Sequence, residues 1–402
     1  MYDLIVIGGG AAGFFTAIQL AERRSDAKIL ILEKSNKVLA KVKVSGGGRC
    51  NVTHACFIPS DMIDHYPRGN KELLGPFHRF LCGDMMAWLS EQGVETKIEE
   101  DGRVFPVSDS SESIIACFMK LCTKYNIEIQ MHCGLEGLVH QQEAWTISST
   151  QGTYQAKSIM LSTGSTPSVW KLMAGMGYEI VEPVPSLFTF NIKSKLLEEL
   201  QGLSMPQAIV QILGTDFSAS GPLLITHWGL SGPAILKLSS WAARDLHQLD
   251  YEFTIQIDWL GMDVEELRNT LEDQKKNAGK RTVKKHPLFG MPRRLWESFC
   301  YEAILREDNY GSMTSVQIDA LIKTLSASTF EVKGKSTFKE EFVTCGGIER
   351  KQIDFKSMQS KIHPGLYMAG EVLDIDAITG GFNFQAAWTE AFIAAEDIAG
   401  KD

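Results

Sequence analysis

The stretch that decides the fold is DLIVIGGGAAGFFTAIQLAERR, residues 3–24. Its opening DLIVI is largely apolar and β-branched, as in a strand buried on both faces. A G-x-G-x-x-G motif follows, and then apolar residues at helical spacing that end in two arginines. The first glycine permits a tight turn, the second lets a pyrophosphate approach the backbone, and the third lets helix and sheet pack closely. The stretch predicts a dinucleotide-binding turn whose contacts are Gly8, Gly10, Ala11, Ala12 and Gly13.

A second predicted strand, KILILE (28–33), ends in an acid. Glu33 follows the last glycine of the motif by about 20 residues, the spacing at which a carboxylate accepts from ribose hydroxyls. An acid at this point favours a free ribose, as in FAD or NAD, over a 2′-phosphate. Glu33 and Lys34 are the candidates on this side of the cofactor.

Two later segments favour FAD over NAD. Residues 158–164, SIMLSTG, predict a strand and a Thr-Gly turn after a meander of short alternating segments. This is the order of segments in flavoproteins with a glutathione-reductase-like FAD domain. Residues 365–385, GLYMAGEVLDIDAITGGFNFQ, predict a strand, an acidic loop that can bind ribityl hydroxyls, and a helix whose dipole favours a reduced flavin. The alternative is an ordinary strand, loop and helix that close the sheet. The candidate contacts are Leu138, Thr163, Gly164, Gly370, Glu371, Asp374, Gly380, Gly381, Phe382 and Asn383.

Residues 44–51, VSGGGRCN, place three glycines together. A flexible linker would explain them, but they follow the acid-bearing strand by about a dozen residues, where an FAD domain wraps its cofactor. We therefore expect the backbone amides of Gly46, Gly47 and Gly48 to face the cofactor. Arg49 can offset phosphate charge, and Asn51 can bond to the flavin edge or hold the loop.

Five motifs together resemble one family. They are VSGGGRCN (44–51), GRVFPVSD (102–109), THWGLSGP (226–233), TCGGI (344–348) and GLYMAGEVLDIDAITGGFNFQ (365–385). The chain resembles the bacterial FAD-binding flavoproteins of the aminoacetone-oxidase-like or bile-acid-reductase-like NAD(P)/FAD-dependent oxidoreductase family. The resemblance implies FAD, an α/β Rossmann-like FAD-binding domain assembled from both ends of the chain (1–187 and 341–402), and an inserted domain at 188–340. The loop at 162–180 is shorter than is usual in this family, and Ala377 and Ile378 stand where small or polar residues are common.

The inserted domain reads as a small antiparallel barrel or sheet followed by helices. LFTFNI, QAIVQIL, GPLLITH and DYEFTIQID predict strands, and helices are predicted at 231–241, 263–276, 291–306 and 315–325. Because pockets favour domain interfaces, we expect the substrate between the two domains. His227 is a candidate on the substrate side, with a structural role in a turn as the alternative.

The expected chemistry is hydride transfer between the flavin and a small organic substrate. No second nucleotide motif with its strand and acid occurs, so either NAD(P)H docks directly at the flavin, or the substrate reduces FAD and oxygen reoxidises it. Arg103 is a candidate clamp for a planar carboxylate or carbonyl, and a strand-edge ion pair is the alternative. Cys50 and Cys56 have five residues between them, one more than the redox pair of flavin disulfide reductases, so Cys50 is a candidate for tuning or packing.

The composition and charge of the chain limit the classes of partner and function that need to be considered. The 402 residues carry a net charge of -9, which gives no reason to expect nucleic acid or membrane partners. No signal peptide, long apolar span or metal-ligand spacing is evident, which predicts a cytoplasmic protein without a metal. A local basic run at 275–286, read as a solvated face, leaves open an RNA-modifying flavoprotein, and a flavin-bound sensor without turnover is a third possibility.

Overall fold

The computed structural model describes residues 1–141, 144–336 and 343–401. The chain divides into two compact units, which are Met1–Val184 with Lys339–Asp402 (the first unit) and Pro185–Phe338 (the inserted unit). The sequence predicts divisions at 187/188 and 340/341, and the second of these lies outside the described residues.

The described residues form 20 strands. They are β1 (Tyr2–Ile7), β2 (Ile29–Leu32), β3 (Thr53–His54), β4 (Thr96–Ile98), β5 (Arg103–Pro106), β6 (Glu128–Gln130), β7 (Leu135–Gln141), β8 (Ala144–Ser149), β9 (Gly152–Leu161), β10 (Ile180–Ser186), β11 (Thr189–Ile192), β12 (Ser204–Ile212), β13 (Ser218–Ile225), β14 (Gly229–Ser231), β15 (Glu252–Asp258), β16 (Ser328–Ser336), β17 (Val343–Ile348), β18 (Ile353–Asp354), β19 (Gln359–Ser360) and β20 (Leu366–Met368).

The same residues form 13 α-helices. They are α1 (Ala11–Arg23), α2 (Ala40–Val44), α3 (Pro59–Ile63), α4 (Asn70–Phe77), α5 (Cys82–Glu91), α6 (Glu112–Lys124), α7 (Pro167–Gly175), α8 (Pro233–Trp241), α9 (Ala243–Gln248), α10 (Val264–Asn277), α11 (Arg293–Glu302), α12 (Ser315–Ser326) and α13 (Phe382–Ala399). Among them, no helix is both long enough and apolar enough to cross a membrane.

The first unit is built on a parallel sheet with the strand order β20-β9-β1-β2-β6. Antiparallel strands extend it, with β7 and β8 leading into β9, and β18 and β19 lying beside β20. The last four residues of β1 and all four of β2 are buried, as expected for central parallel strands covered on both faces. Because β20 pairs with β9, which pairs with β1, the two ends of the chain share one sheet. The predicted Rossmann-type fold, assembled from both ends of the chain, is confirmed.

Two helices from opposite ends of the sequence pack together over this sheet. Residues 12–21 of α1 are all buried, and α13 lies against it. Both helices carry buried small side chains, such as Ala17 and Ala391, which suit close helix packing. An 18-residue helix with twelve buried residues, α13 is therefore a core element of the first unit.

The inserted unit contains a closed six-stranded antiparallel barrel with the order β11-β14-β13-β12-β15-β16. Alternate residues of β12 and β13 are buried over much of their length, which is the period-2 pattern of strands with one core face. Helices α8 and α10 to α12 supply further buried side chains, among them Trp296 and Phe299. The predicted barrel is confirmed, and β14 and β16 are strands that the sequence pattern did not reveal.

The TCGGI motif of β17 owes its glycines to close packing within the first unit. Gly346 has a φ of +112°, and a Cβ there would lie 2.4 Å from the carbonyl oxygen of Glu182. We expect Gly346→Ala to lower the free energy of unfolding by about 2 kcal/mol or more, because strain and a backbone clash add. Gly175→Ala in α7 is the control, since a Cβ there meets nothing within 4 Å. Equal thermal unfolding midpoints for the two variants would contradict this account.

Candidate flavin site

The turn after β1 is fixed by two close backbone approaches. A Cβ on Gly8, whose φ is +108°, would lie 2.4 Å from the carbonyl oxygen of Ser162. A Cβ on Gly13 would lie 2.2 Å from the carbonyl oxygen of Gly8, so only glycine fits at either place. Gly10 is different, because its φ is -95° and a Cβ there meets nothing within 4 Å. The N-terminus of α1 lacks a side-chain cap and faces this open space, an arrangement that suits a phosphate.

The Glu33 carboxylate lies beside this turn. Its Oε2 accepts from the Gly9 amide at 2.8 Å, and its Oε1 accepts from the Ser35 amide at 2.8 Å. Each oxygen keeps a lone pair for a ribose hydroxyl. The neighbouring Lys34 ammonium donates to Thr166 Oγ1 at 3.3 Å, and Leu138 is buried in β7.

The glycine run forms a tight turn. Residues Ser45–Gly48 make a 3-10 turn in which Gly46 and Gly47 have positive φ values, as does Gly48. A Cβ on Gly46 would meet the Phe105 ring at 2.8 Å, whereas one on Gly47 or Gly48 would meet nothing within 4 Å. Gly46 is therefore required for packing within the protein. The other two glycines border open space, as does Gly164 after β9.

The Arg49 side chain is held by neighbouring side chains of the protein. Its guanidinium pairs with Glu99 at 2.6 Å and Asp109 at 3.5 Å, and stacks 3.9 Å above the Phe105 ring centroid. Two carboxylates balance its charge in this structure. The observed contacts therefore make Arg49 an anchor of the glycine turn.

The segment after the turn is tied to α13. Trp388 donates to the carbonyl oxygen of Val52 at 2.9 Å, and Thr53 Oγ1 donates to Gln385 at 2.6 Å. A Cβ on Gly381 would lie 2.6 Å from the Thr53 backbone, which explains the glycine at the start of α13. The turn at 44–51 and the loop before α13 are thus neighbours, although more than 300 residues separate them.

The loop from Gly370 to Asn383 is held by its own side chains. Asn383 accepts from the Ala377 amide at 2.9 Å and donates to its carbonyl oxygen at 3.1 Å. This pair of bonds closes the loop ahead of Phe382, the first residue of α13. Gly380 and Gly381 have φ values of +129° and +95°, which side chains rarely adopt.

Each of the three acidic side chains of this loop lies next to a cationic side chain. Glu371 pairs with Lys41 at 2.5 Å, and Asp374, 1% exposed, lies 3.7 Å from Arg350. Asp376 forms a buried ion pair with Arg68. The sequence singled out Glu371 and Asp374 but missed the pair of Arg68 and Asp376, whose members are 308 residues apart.

Two polar atoms test whether this region fits FAD. Asn51 Oδ1 and Thr163 Oγ1 are both buried, and neither has a hydrogen-bond partner among the described residues. A buried polar atom without a partner is costly, so such atoms point to a missing polar ligand. Together with the open space at Gly10, Gly47 and Gly164, they fit a cofactor that carries phosphates, hydroxyls and a polar ring.

His54 is a neighbour of this loop that the sequence did not single out. Its Nδ1 lies 3.1 Å from the carbonyl oxygen of Gly380, and its ring stacks on Phe382 at 4.5 Å. Burial lowers the pKa of His54, so the imidazole is neutral at pH 7 and Nδ1–H donates to Gly380. The His65 ring also stacks on Phe382, at 4.2 Å. The two histidines therefore fix the start of α13, and the only hint in the sequence was the histidine in CNVTHAC.

Glu390 was also missed. It is fully buried in α13, where its Oε2 accepts from the Gly370 amide at 2.6 Å. Its Oε1 has no partner among the described residues. Burial raises the pKa of Glu390 to about 8, so the side chain is largely protonated at neutral pH. A single acid in the otherwise apolar run QAAWTEAFIAA was the available signal.

The three candidate residues for the substrate side differ in their burial and in the partners that they contact. Cys50 is fully buried, and burial raises its thiol pKa to about 12, so it is protonated at neutral pH. Arg103 is a strand residue that pairs with Asp101 and Glu99. His227 is exposed in the turn between β13 and β14 of the inserted unit. No disulfide links the cysteines of the described residues, Cys56 included, and no cluster of metal ligands occurs among these residues.

Gly10 offers a clean test of the phosphate site. We expect Gly10→Val to lose bound flavin, because the side chain would enter the open space at the N-terminus of α1 without clashing with the protein. The flavin-free protein should keep its stability to within about 1 kcal/mol. Flavin content per polypeptide is the measurement, with Gly75→Ala in α4 as the control. Full flavin content in Gly10→Val would contradict the assignment.

Glu390 predicts a pH dependence of stability. Its raised pKa means that the folded protein binds one more proton than the unfolded chain between about pH 4.5 and 8, so its contribution to stability is lost as pH rises through that window. We expect Glu390→Gln, which keeps the shape without a charge, to flatten the fall in melting temperature from about pH 5 to 8. Glu136→Gln, at an exposed position of β7, should leave the curve unchanged. Parallel curves for the wild type and Glu390→Gln would refute this interpretation.

Comparison with known proteins agrees with this geometry. The model of a family described as HI0933-like protein Rossmann domain matches residues 2–397. The chain is 29% identical over 413 residues to the ribosomal RNA dihydrouridine synthase of Haemophilus influenzae, covering 98% of each chain. It is 27% identical over 409 residues to the Escherichia coli protein of the same name, covering 99% of this chain and 98% of that one. It is 24% identical over 406 residues to the 3-dehydro-bile acid delta(4,6)-reductase of Clostridium scindens, covering 98% of each.

Solved structures share the fold. A 3-ketosteroid-delta4-(5alpha)-dehydrogenase from Rhodococcus jostii superposes with a TM-score of 0.54 at 13% identity, covering 100% of this chain and 97% of that one. A flavocytochrome c3 fumarate reductase superposes with a TM-score of 0.50 at 17% identity, covering 99% and 78%. The glycine turn of β1, the buried unpartnered atoms and the family match lead to one conclusion: the chain belongs to the HI0933-like Rossmann family and is an FAD-binding flavoprotein of the oxidoreductase class.

Proposed function

We propose that the protein is an FAD-dependent reductase that saturates a carbon–carbon double bond conjugated with a carbonyl group. The supporting observation is that three relatives match over nearly their whole length. Two are named for making dihydrouridine in ribosomal RNA, and the third for reducing delta(4,6) double bonds of a 3-dehydro-bile acid. Both kinds of substrate have a double bond next to a carbonyl, whose electron withdrawal makes the far carbon accept hydride.

In this proposal bound FAD supplies the hydride chemistry, and the chain binds and orients the reactants. The N-terminus of α1 and Glu33 hold the nucleotide half. The turn at Gly47 and Gly48 and the loop closed by Asn383 hold the flavin half. His54 keeps Gly380 and Phe382 in place at the start of α13.

The first candidate substrate is a uridine in RNA, because the two dihydrouridine synthases are 29% and 27% identical to this chain. The second is a small organic molecule with an enone, as suggested by the bile acid reductase at 24% identity. For the electron donor we propose NAD(P)H docking directly at the flavin.

Anaerobic reduction and reoxidation test the reductase. We expect NADH or NADPH to bleach the visible absorbance of the FAD-loaded protein. A substrate from the proposed class should then restore it and gain one H₂, which mass spectrometry detects. The substrates to compare are ribosomal RNA free of dihydrouridine, free uridine and a 3-keto-4-ene steroid.

The outcomes separate three explanations. Reoxidation by RNA or by the steroid identifies the substrate class. Reduction followed by reoxidation with oxygen alone would contradict the reductase and favour an oxidase. Failure of both nicotinamides to reduce the flavin would favour a flavin-bound sensor without turnover.

A further inference from the structure

One segment of the inserted unit has a charge unlike the rest of the chain. Between Gln274 and Glu297 the sequence has eight cations and no acid. With these eight set aside, the net charge of -9 for the whole chain becomes -17 for the remainder. We call them the basic strip, which comprises Lys275, Lys276, Lys280, Arg281, Lys284, Lys285, Arg293 and Arg294.

The basic strip is carried on an ordered backbone. Trp296 donates to the carbonyl oxygen of Val283 at 2.8 Å, and Tyr310 donates through its hydroxyl to the carbonyl oxygen of His286 at 2.7 Å. The Tyr310 amide donates to the carbonyl oxygen of Arg281 at 3.0 Å. Val283, Trp296 and Tyr310 are all fully buried. The cations are thus presented from a packed surface, at fixed points between the end of α10 and the start of α11.

Internal partners account for few of these charges. The Lys275 ammonium donates to the carbonyl oxygen of Met313 at 2.7 Å, and Arg293 pairs with Glu297 at 2.9 Å. The other six cations form no ion pair with the described residues. Lys275 and Lys276 lie in the last turn of α10, where the helix dipole favours them, but Arg293 and Arg294 lie in the first turn of α11, where it does not. Most of the strip therefore has no structural explanation, and its mutual repulsion would be relieved by a polyanion.

An exposed aromatic side chain accompanies the strip. Tyr301 follows Arg294 by seven residues in α11, so both lie on nearly the same face of the helix. The Tyr301 side chain is 69% exposed, and the Arg306 guanidinium lies 5.8 Å from its ring centroid. Cations beside an exposed ring are the pattern with which proteins bind the backbone and stack on the bases of single-stranded nucleic acid.

We propose that the basic strip is a binding surface for single-stranded RNA, in which its cations contact phosphates and Tyr301 stacks on a base. The proposal deepens the proposed function and rests on it for the choice of RNA over other polyanions. It also explains how a chain with a net charge of -9 can hold a polyanionic substrate, since the cations are concentrated in one segment.

Binding of a fluorescein-labelled single-stranded RNA to the FAD-loaded full chain, followed by anisotropy over a range of salt concentrations, tests the surface. Contacts from the six unpaired cations predict a slope of about -4 for log K against log salt. Lys284→Gln/Lys285→Gln should reduce the slope to about -3. The control Lys120→Gln/Lys351→Gln removes two exposed cations of the first unit and should leave it unchanged. Tyr301→Leu should weaken binding by about fivefold or more with the same slope, because stacking is not ionic.

Three results would overturn the proposal. They are the absence of RNA binding, equal slopes for the two double variants, and binding of inorganic polyphosphate or phosphatidylserine vesicles as tight as that of RNA. Reduction of the steroid by a protein that does not bind RNA would reject this surface and keep the reductase. RNA binding that depends on Lys284 and Lys285, in a protein that reduces no substrate, would reject the reductase and keep the surface.

Discussion

The close approach of backbone atoms at Gly8, Gly13 and Ser162 is the constraint on which the first unit depends. A methyl group on either glycine would meet a carbonyl oxygen at 2.4 Å or less. Because α1 lies this close to β1 and β9, its residues 12–21 are buried, and α13 can pack on its other side. The same contact aims the uncapped N-terminus of α1 at the open space beside Gly10. The same few atoms thus set both the packing of α1 and the position of the open space where we propose that the cofactor binds.

The helices and strands whose pattern lies within one short stretch of the sequence were predicted correctly. The motif at 8–13 and the acid at Glu33 predicted β1, α1 and β2, since Gly8 and Gly13 stand where the backbone leaves no room for a side chain. Helices predicted at 263–276 and 315–325 correspond to α10 and α12, because both have clear amphipathic periodicity. The predicted helix at 291–306 is shorter in the structure, where α11 ends at Glu302.

Features that depend on distant pairing escaped prediction. Strand β3 has only two residues and exists because it pairs with β5, some 50 residues later. The ion pair of Arg68 with Asp376 and the contact of His54 with Gly380 each join residues more than 300 positions apart. For Arg49 the sequence suggested a phosphate, but it could not reveal that Glu99 and Asp109 lie within reach. The sequence shows which residues are charged, but only the folded structure shows which of them form ion pairs with one another.

The sharing of one sheet by both ends of the chain has a consequence for synthesis on the ribosome. Strand β1 emerges early, but β20 and α13, which complete its sheet and cover α1, are translated more than 360 residues later. Until then the apolar faces of α1 and β9 lack their covering helix and neighbouring strand, while the inserted unit already has its whole barrel sequence. We therefore expect the barrel to fold first, and the nascent first unit to need protection from aggregation. Because the proposed flavin site includes the loop before α13, we expect FAD to load fully only after translation has passed that helix, so that bound cofactor reports a polypeptide made through α13.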